Sequence, residues 1–219
     1  MSTRPAAGGG RWVAVAPERV PRWVEGFRDR HGDFVQRPAA YGVELVAFDG
    51  ATAQLHGPPG APVAGDLADL VAGAMATRRL GLILARKGAV AVGVADGATL
   101  TASKVDSHYV QGRTAAGGWS QRRFARRRAN QARAAERDAA DVAARVLLPE
   151  AGRLAALVCG GDRRTVDAVL EDRRLAPLAA IRAGRLLAVG EPRHATLQAA
   201  VEAARAVEIL IKEPGDGAD

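Results

Sequence analysis

One cysteine and three lysines in 219 residues close off several kinds of chemistry before any motif is read. The lone Cys159 excludes an internal disulfide and argues against a thiolate metal site. It stands in the apolar run "RLAALVC", the setting of a buried strand thiol. His31, His56, His108 and His194 show no helical pair spacing, so a histidine-held zinc is not expected. There is no Gly-x-Ser-x-Gly elbow and no phosphate-binding P-loop; "GPPGAPVAG" is a proline-interrupted loop. No stretch approaches the roughly 18 apolar residues of a membrane span, and the N-terminus lacks the apolar core of a signal peptide. No membrane partner is expected, and the cytoplasm is the expected address.

Where lysine is scarce, arginine is abundant. Lys and Arg together number 31 against 24 acids, a net charge of +7 with a pI near 10.6, which points to a polyanionic partner. Arginine accompanies alanine throughout, as a compositional bias would also produce, so the clustering of charge says more than its total. Between Gln121 and Arg137 seven arginines face one acid. Apolar residues at 48% and charged residues at 25% are those of an ordinary globular chain. The length suits one domain, or one with a small extra lobe.

Read along the chain, residues 1–10 and 213–219 are expected to fray. "RWVAVAP" predicts a strand, and "PERVPRWVEGFRDRHG" a helix closed by Gly32. "YGVELVAFDG" and "ATAQLHG" predict a hairpin turning at Asp49-Gly50, and "GDLADLVAGAMATRR" a short helix. Residues 11–79 thus read as a β-α-β-β-α block. "LGLILARKG", "AVAVGVADG" and "ATLTASKV" predict an antiparallel meander. A long polar loop over 104–120 follows; loops of that length inside compact domains are usually functional or disordered.

From Ser120 to about Leu148 a helix is expected, with Phe124, Ala125, Ala129, Ala132, Ala135, Ala139, Val142, Ala143 and Val146 on its apolar face. Strand "RLAALVCG", helix "DRRTVDAVLED", strand "GRLLAVG" and helix "RHATLQAAVEAARAVEIL" complete a second domain over 80–212. The fold class is α/β. Three antiparallel strands followed by helix, strand, helix, strand and helix is the element order of a ribonuclease-H-like mixed sheet. Nucleases of that kind hold metals on strand carboxylates. The nearest candidates are Asp49, Asp96 and Asp106, of which the first two precede glycine and read as turn residues.

The chemistry is therefore sought in "AAGGWSQRRFARRR", residues 115–128. Arginines at a helix start lie where the macrodipole and the free N–H groups least favour cations, so helix stability does not explain them. Arg122, Arg126, Arg133 and Arg137 recur at intervals of four, seven and four in one stripe, and Arg123 and Arg127 form a second. Such stripes suit a phosphate backbone; a solvated helix face is the plain alternative. Trp119 can stack on a base or anchor the helix start, and Arg113 can add a phosphate contact. Gly117 and Gly118 permit close backbone approach to a substrate, or form a linker. Gln121 can orient a water through its amide, but it takes no proton at neutral pH.

"HYVQGRTAAGGWSQRRFARRR" resembles the segment bearing the Gly-Gly-Gln motif in the middle domain of eukaryotic and archaeal class-one peptide-chain release factors. It is more similar still to the Vms-like release factors (VLRF) of ribosome-associated quality control, in their compact actinobacterial form. Trp119 and Ser120 separate Gly118 from Gln121, an insertion that the Vms-like pattern allows. The resemblance implies a hydrolase acting on the peptidyl-tRNA ester, freeing nascent chains from stalled ribosomes without a stop codon. Gln121, Gly117 and Gly118 would be catalytic. Arg113, Trp119, Arg122, Arg123, Arg126, Arg127, Arg128 and Arg133 would bind RNA. It implies no cofactor and no metal. The implied partners are peptidyl-tRNA and the peptidyl-transferase region of the large ribosomal subunit, with no DNA. Cleavage of the tRNA 3′ end and a non-enzymatic tRNA- or rRNA-binding module remain the alternatives.

Overall fold

The structure, a computed structural model, describes residues 3–86, 88–107 and 120–216, with the course of the backbone alone for 120–129. The chain divides into two compact units, Met1–Thr77 with Glu202–Asp219, and Arg78–Val201.

The first unit is built on a six-stranded antiparallel sheet. Its strands are β1 (Thr3–Pro5), β2 (Arg11–Val15), β3 (Phe34–Ala39), β4 (Gly42–Ala47), β5 (Thr52–His56) and β11 (Val207–Lys212), in the order β1-β2-β11-β5-β4-β3. Helix α1 (Val20–His31) follows a 3-10 turn, and its last turn is closed by the Gly32 N–H donating to the Arg28 carbonyl at 2.8 Å. Helix α2 (Leu67–Met75) starts at Asp66, whose side chain accepts from the Asp69 N–H. That bond satisfies one of the orphan donors of the first turn. Val13, Val15, Phe27, Val43, Leu45, Leu55, Leu70, Val207 and Ile209 share one buried cluster.

Three sequence expectations change here. β3 is absent from the β-α-β-β-α reading because "FVQRPA" shows no alternation and carries Pro38. Its place at the sheet edge accounts for both, since an edge strand tolerates a missing N–H and keeps most of its side chains in solvent. Residues 1–10 do not simply fray: Thr3–Pro5 pairs with β2, and Arg4 reaches Glu208 at 2.6 Å. At the other end the Glu213 N–H donates to Asp216 at 3.0 Å, so the chain is tied through a turn to Asp216. Third, the predicted helix through Leu210 stops at Arg205, and β11 inserts between β2 and β5. The division expected at 80–212 shifts accordingly, because β-branched Val207, Ile209 and Ile211 bury in the first unit's core.

The second unit holds a five-stranded mixed sheet. β6 (Arg79–Arg86), β7 (Ala89–Asp96) and β8 (Thr99–Ser107) form the expected antiparallel meander; β9 (Ala156–Gly161) then runs parallel to β6, and β10 (Arg182–Leu187) parallel to β9. The sheet order β10-β9-β6-β7-β8 leaves β8 on an edge. Helix α3 (Ser120–Leu147) packs on the face formed by Ile83, Val90, Val92, Val94, Leu157 and Cys159, together with α4 (Arg163–Leu170) and the short α5 (Ala176–Ala180). α5 has five residues, too few to leave a periodic trace in the sequence. The opposite face receives α6 (His194–Arg205): a Cβ on Gly93 would lie 2.8 Å from the Leu197 side chain, so the helix approaches through the space glycine leaves.

Candidate nucleic-acid interface

α3 divides into two stretches of different character. From Ala135 onward its side chains form the core: Ala135, Ala139, Ala140, Val142, Ala143 and Leu147 are buried. Alanine along this seam lets the helix lie close on β7, and a larger side chain at the fully buried Ala143 would overpack it by about 1–3 kcal/mol. Ala135, Ala139, Val142 and Ala143 lie on the face expected of them, and Ala140 and Leu147 join them there.

Ion pairs hold the buried stretch. At its C-terminal end Arg79 of β6 donates to Asp96 at 2.5 Å and to Glu150 at 2.9 Å, tying the turn after α3 to the sheet. Midway, Asp141 accepts from Arg174 at 2.6 Å, and Arg174 also holds Asp172 at 2.7 Å. The side-chain bonds from Arg174, with its backbone N–H, hold the Asp172 carboxyl down at about 2. Asp141 is the next position, at an interval of four, after Arg137 in the arginine stripe. The stripe of cations therefore ends in a pair whose charge is already committed.

Upstream of Ala135 the helix carries the predicted site residues. Gln121, Arg122, Arg123, Arg126, Arg127 and Arg128 lie in its helical backbone, and their side chains are outside the described residues. Arg113, Gly117, Gly118 and Trp119 also lie outside the described residues. Arg133 is exposed and donates to Asn130 at 3.1 Å. Arg137 is exposed as well, and among the described residues no carboxylate pairs with it. The structure thus sets the arginines on a helix anchored at its far end.

Other candidates are engaged elsewhere. Asp49 accepts from the Ala51 N–H and from His31, both at 2.9 Å, as a turn residue does; Asp96 pairs with Arg79. No group of three His, Cys, Asp or Glu side chains among the described residues is arranged to hold a metal ion. Cys159 is buried in the sheet, and desolvation pushes its thiol up to about 11, far from a reactive thiolate. No helix among the described residues is long and apolar enough to cross a membrane.

Two features escaped the sequence. Charge is segregated by unit: Arg78–Val201 holds 22 basic against 11 acidic residues, while the other unit holds 9 against 13. The net charge of +7 is therefore the difference between a strongly cationic unit and a mildly acidic one. The second feature is a cleft of about 130 Å³ between the β6–β7 turn, α3 and the start of α4. Beside it, Gly161 ends β9 just before α4. With φ at +98°, and a Cβ that would sit 2.3 Å from the Ala85 carbonyl oxygen, only glycine lets β9 turn into α4 there. No periodicity in the sequence marks a cleft whose walls come from three separate elements.

The family model described as the Actinobacteria/chloroflexi VLRF1 release factor matches residues 78–210, more than half of the chain. The protein belongs to this release-factor family. The match begins where the cationic unit begins, and it spans the loop, the arginine helix and the mixed sheet. Among solved structures, the release-factor chain is similar to the archaeal translation termination factor aRF1 at 20% identity and a TM-score of 0.42, over 58% of this chain and 36% of that one. A second similar structure, an archaeal protein, has 16% identity and a TM-score of 0.38, covering 73% of this chain and 51% of its own. The chain thus spans about a third of the archaeal factor's length and about half of the second protein's. Comparison with curated proteins finds no match.

Proposed function

We propose that the protein hydrolyses the ester of peptidyl-tRNA on stalled ribosomes and frees the nascent chain without reading a stop codon. The observation that carries this reading is the family match over the unit that concentrates the positive charge. The strand order of the mixed sheet, 3-2-1-4-5 when numbered within the unit from β8 to β10, supports a ribonuclease-H-like release domain. Ribosomes place this work in the cytoplasm, at the peptidyl-transferase region of the large subunit.

The mechanism assigns positioning to the protein. Arg122, Arg123, Arg126, Arg127, Arg128 and Arg133, with Arg113 from the preceding loop, hold the phosphates of the acceptor stem or of nearby ribosomal RNA. Such contacts orient without reading sequence. Trp119 stacks on a base. Gly117 and Gly118 let the backbone enter a narrow RNA cavity, and Gln121 orients a water at the ester carbon through its carboxamide. Water adds to the acyl carbon, the bond from that carbon to the tRNA 3′ oxygen breaks, and that oxygen leaves with a proton. The products are a free peptide acid and an intact deacylated tRNA. Orientation and fixed dipoles lower the barrier without a nucleophilic side chain.

The test is peptide release from purified stalled nascent-chain complexes, with the tRNA product sized at single-nucleotide resolution. Full-length deacylated tRNA is expected. A tRNA shortened at its 3′ end would replace the hydrolase reading with nuclease cleavage, and binding without release would leave an RNA-binding module.

A further inference from the structure

The cleft beside α3 has a size and a lining of its own. Ala132 and Ala139 of α3 form one wall, Ala85 and Val90 of the β6–β7 hairpin another, and Glu136 and Thr165 are the polar groups. Its volume of about 130 Å³ is on the scale of the roughly 150 Å³ cavity that holds a benzene ring. It has room for one flat heterocycle. Arginines neighbour the lining in sequence: Arg133 and Arg137 directly follow Ala132 and Glu136, and exposed Arg163 and Arg164 directly precede Thr165.

The polar lining is one-sided. The Thr165 hydroxyl donates to Asp162 at 2.9 Å, which commits its hydrogen and leaves its oxygen as an acceptor. The Glu136 carboxylate, when ionised, only accepts. A ring entering here meets two acceptors, and it is held best if it brings an amino group, as cytosine does through N4.

We propose that this cleft seats one unstacked cytosine, a single-ring base that carries an amino group, from an RNA strand whose flanking phosphates reach the neighbouring arginines of α3 and α4. The proposal rests on the reading of α3 as an RNA-binding helix. Ala132 lies eleven positions after Gln121, about 16 Å along the helix axis. A strand that brings its acylated 3′ end to the start of α3 can therefore lay a base in the cleft. The occupied cleft would fix the register of the strand along the helix, which phosphate contacts alone leave free to slide.

The experiment uses the full chain and three fluorescent RNA probes: an acceptor-stem minihelix with the single-stranded tail CCA, the same minihelix with tail UUA, and an unstructured cytidine oligomer. The parent protein should bind the CCA tail at least about fivefold tighter than the UUA tail, as one lost base contact implies. Ala132→Leu fills the cleft with a good helix former, and Glu136→Gln turns one acceptor into a mixed group. Ala132→Leu should abolish the preference for cytosine while the salt dependence of binding stays unchanged, and Glu136→Gln should reduce it. Should Ala132→Leu fail to fold by circular dichroism, the Glu136→Gln result decides. Tight binding of the cytidine oligomer assigns the cleft to any single strand, ribosomal RNA included; tight binding of the minihelix alone assigns it to tRNA. Equal affinity of the parent for CCA and UUA tails, with salt-dependent binding intact, overturns the cleft and leaves the arginine helix standing. Salt-independent or absent RNA binding overturns the helix reading itself.

Discussion

Removing Arg133 and Arg137 together isolates the electrostatic part of the account. Both are exposed, Arg133 just before the core-facing seam of α3 and Arg137 between its first buried alanines, Ala135 and Ala139. The stripe Arg122, Arg126, Arg133 and Arg137 spans fifteen residue steps, about 22 Å of helix. Phosphates follow one another at about 3.4 Å along a duplex strand, so four contacts fit on one strand. Each neutralised phosphate adds about −0.9 to the slope of log K against log salt, so this stripe contributes about −3.6 of it. Raising salt from about 50 to 200 mM should weaken the stripe's share of binding about 150-fold. With Arg133→Ala and Arg137→Ala the slope should become shallower by about 1.8, and the same salt step should cost about 12-fold less than it costs the parent. Exposed substitutions of this kind change stability by about 0.5 kcal/mol or less, so the melting temperature should hold. Arg174→Ala is the internal control: its charge is spent on Asp141 and Asp172 at 2.6 and 2.7 Å, and its loss should leave the slope unchanged. Fluorescence anisotropy with labelled tRNA over a salt series reads all three proteins. A slope in the double variant equal to the parent's would refute the phosphate contacts.

Two further outcomes follow from the scaffold. Gly161→Ala forces a side chain into φ +98° and against the Ala85 carbonyl, at a cost of about 1–3 kcal/mol; a denaturant midpoint equal to the parent's would contradict the tight turn between β9 and α4. The Asp172 carboxyl is held at about 2 by Arg174, below the usual value of about 3.9. Its bonds therefore contribute fully above pH ~3.9 and are lost as pH falls through about 2. The acid unfolding curve of Asp172→Asn should flatten in that window; an unchanged curve would mean that the pair adds nothing.

How much of this could be read beforehand depended on whether the signal was local. The meander of β6, β7 and β8 and the amphipathic run of α3 were legible because their own periodicity and Gly-containing turns specify them. β11 was not. Ala-rich α6 runs into it with apolar residues at helical spacing, and the strands that convert Val207–Lys212 into a strand, β2 and β5, lie far away in the sequence. β3 hid for the opposite reason: an edge strand leaves most of its side chains in water, so no alternation survives in Phe34–Ala39. In the candidate site the arginine density and the glycine pair stood out by composition. The cleft at Ala132 and Glu136 could not, since alanines on a helix face look the same whether they pack on a sheet or line a cavity. Ala135 and Ala139 do both.

The central claim is that Gln121 delivers water to the peptidyl-tRNA ester. A single-turnover release assay on stalled nascent-chain complexes, comparing the parent with Gln121→Ala at matched ribosome occupancy, tests it most directly. The account predicts that the variant binds as the parent does and releases no peptide above background. Equal release rates from the two proteins would contradict it.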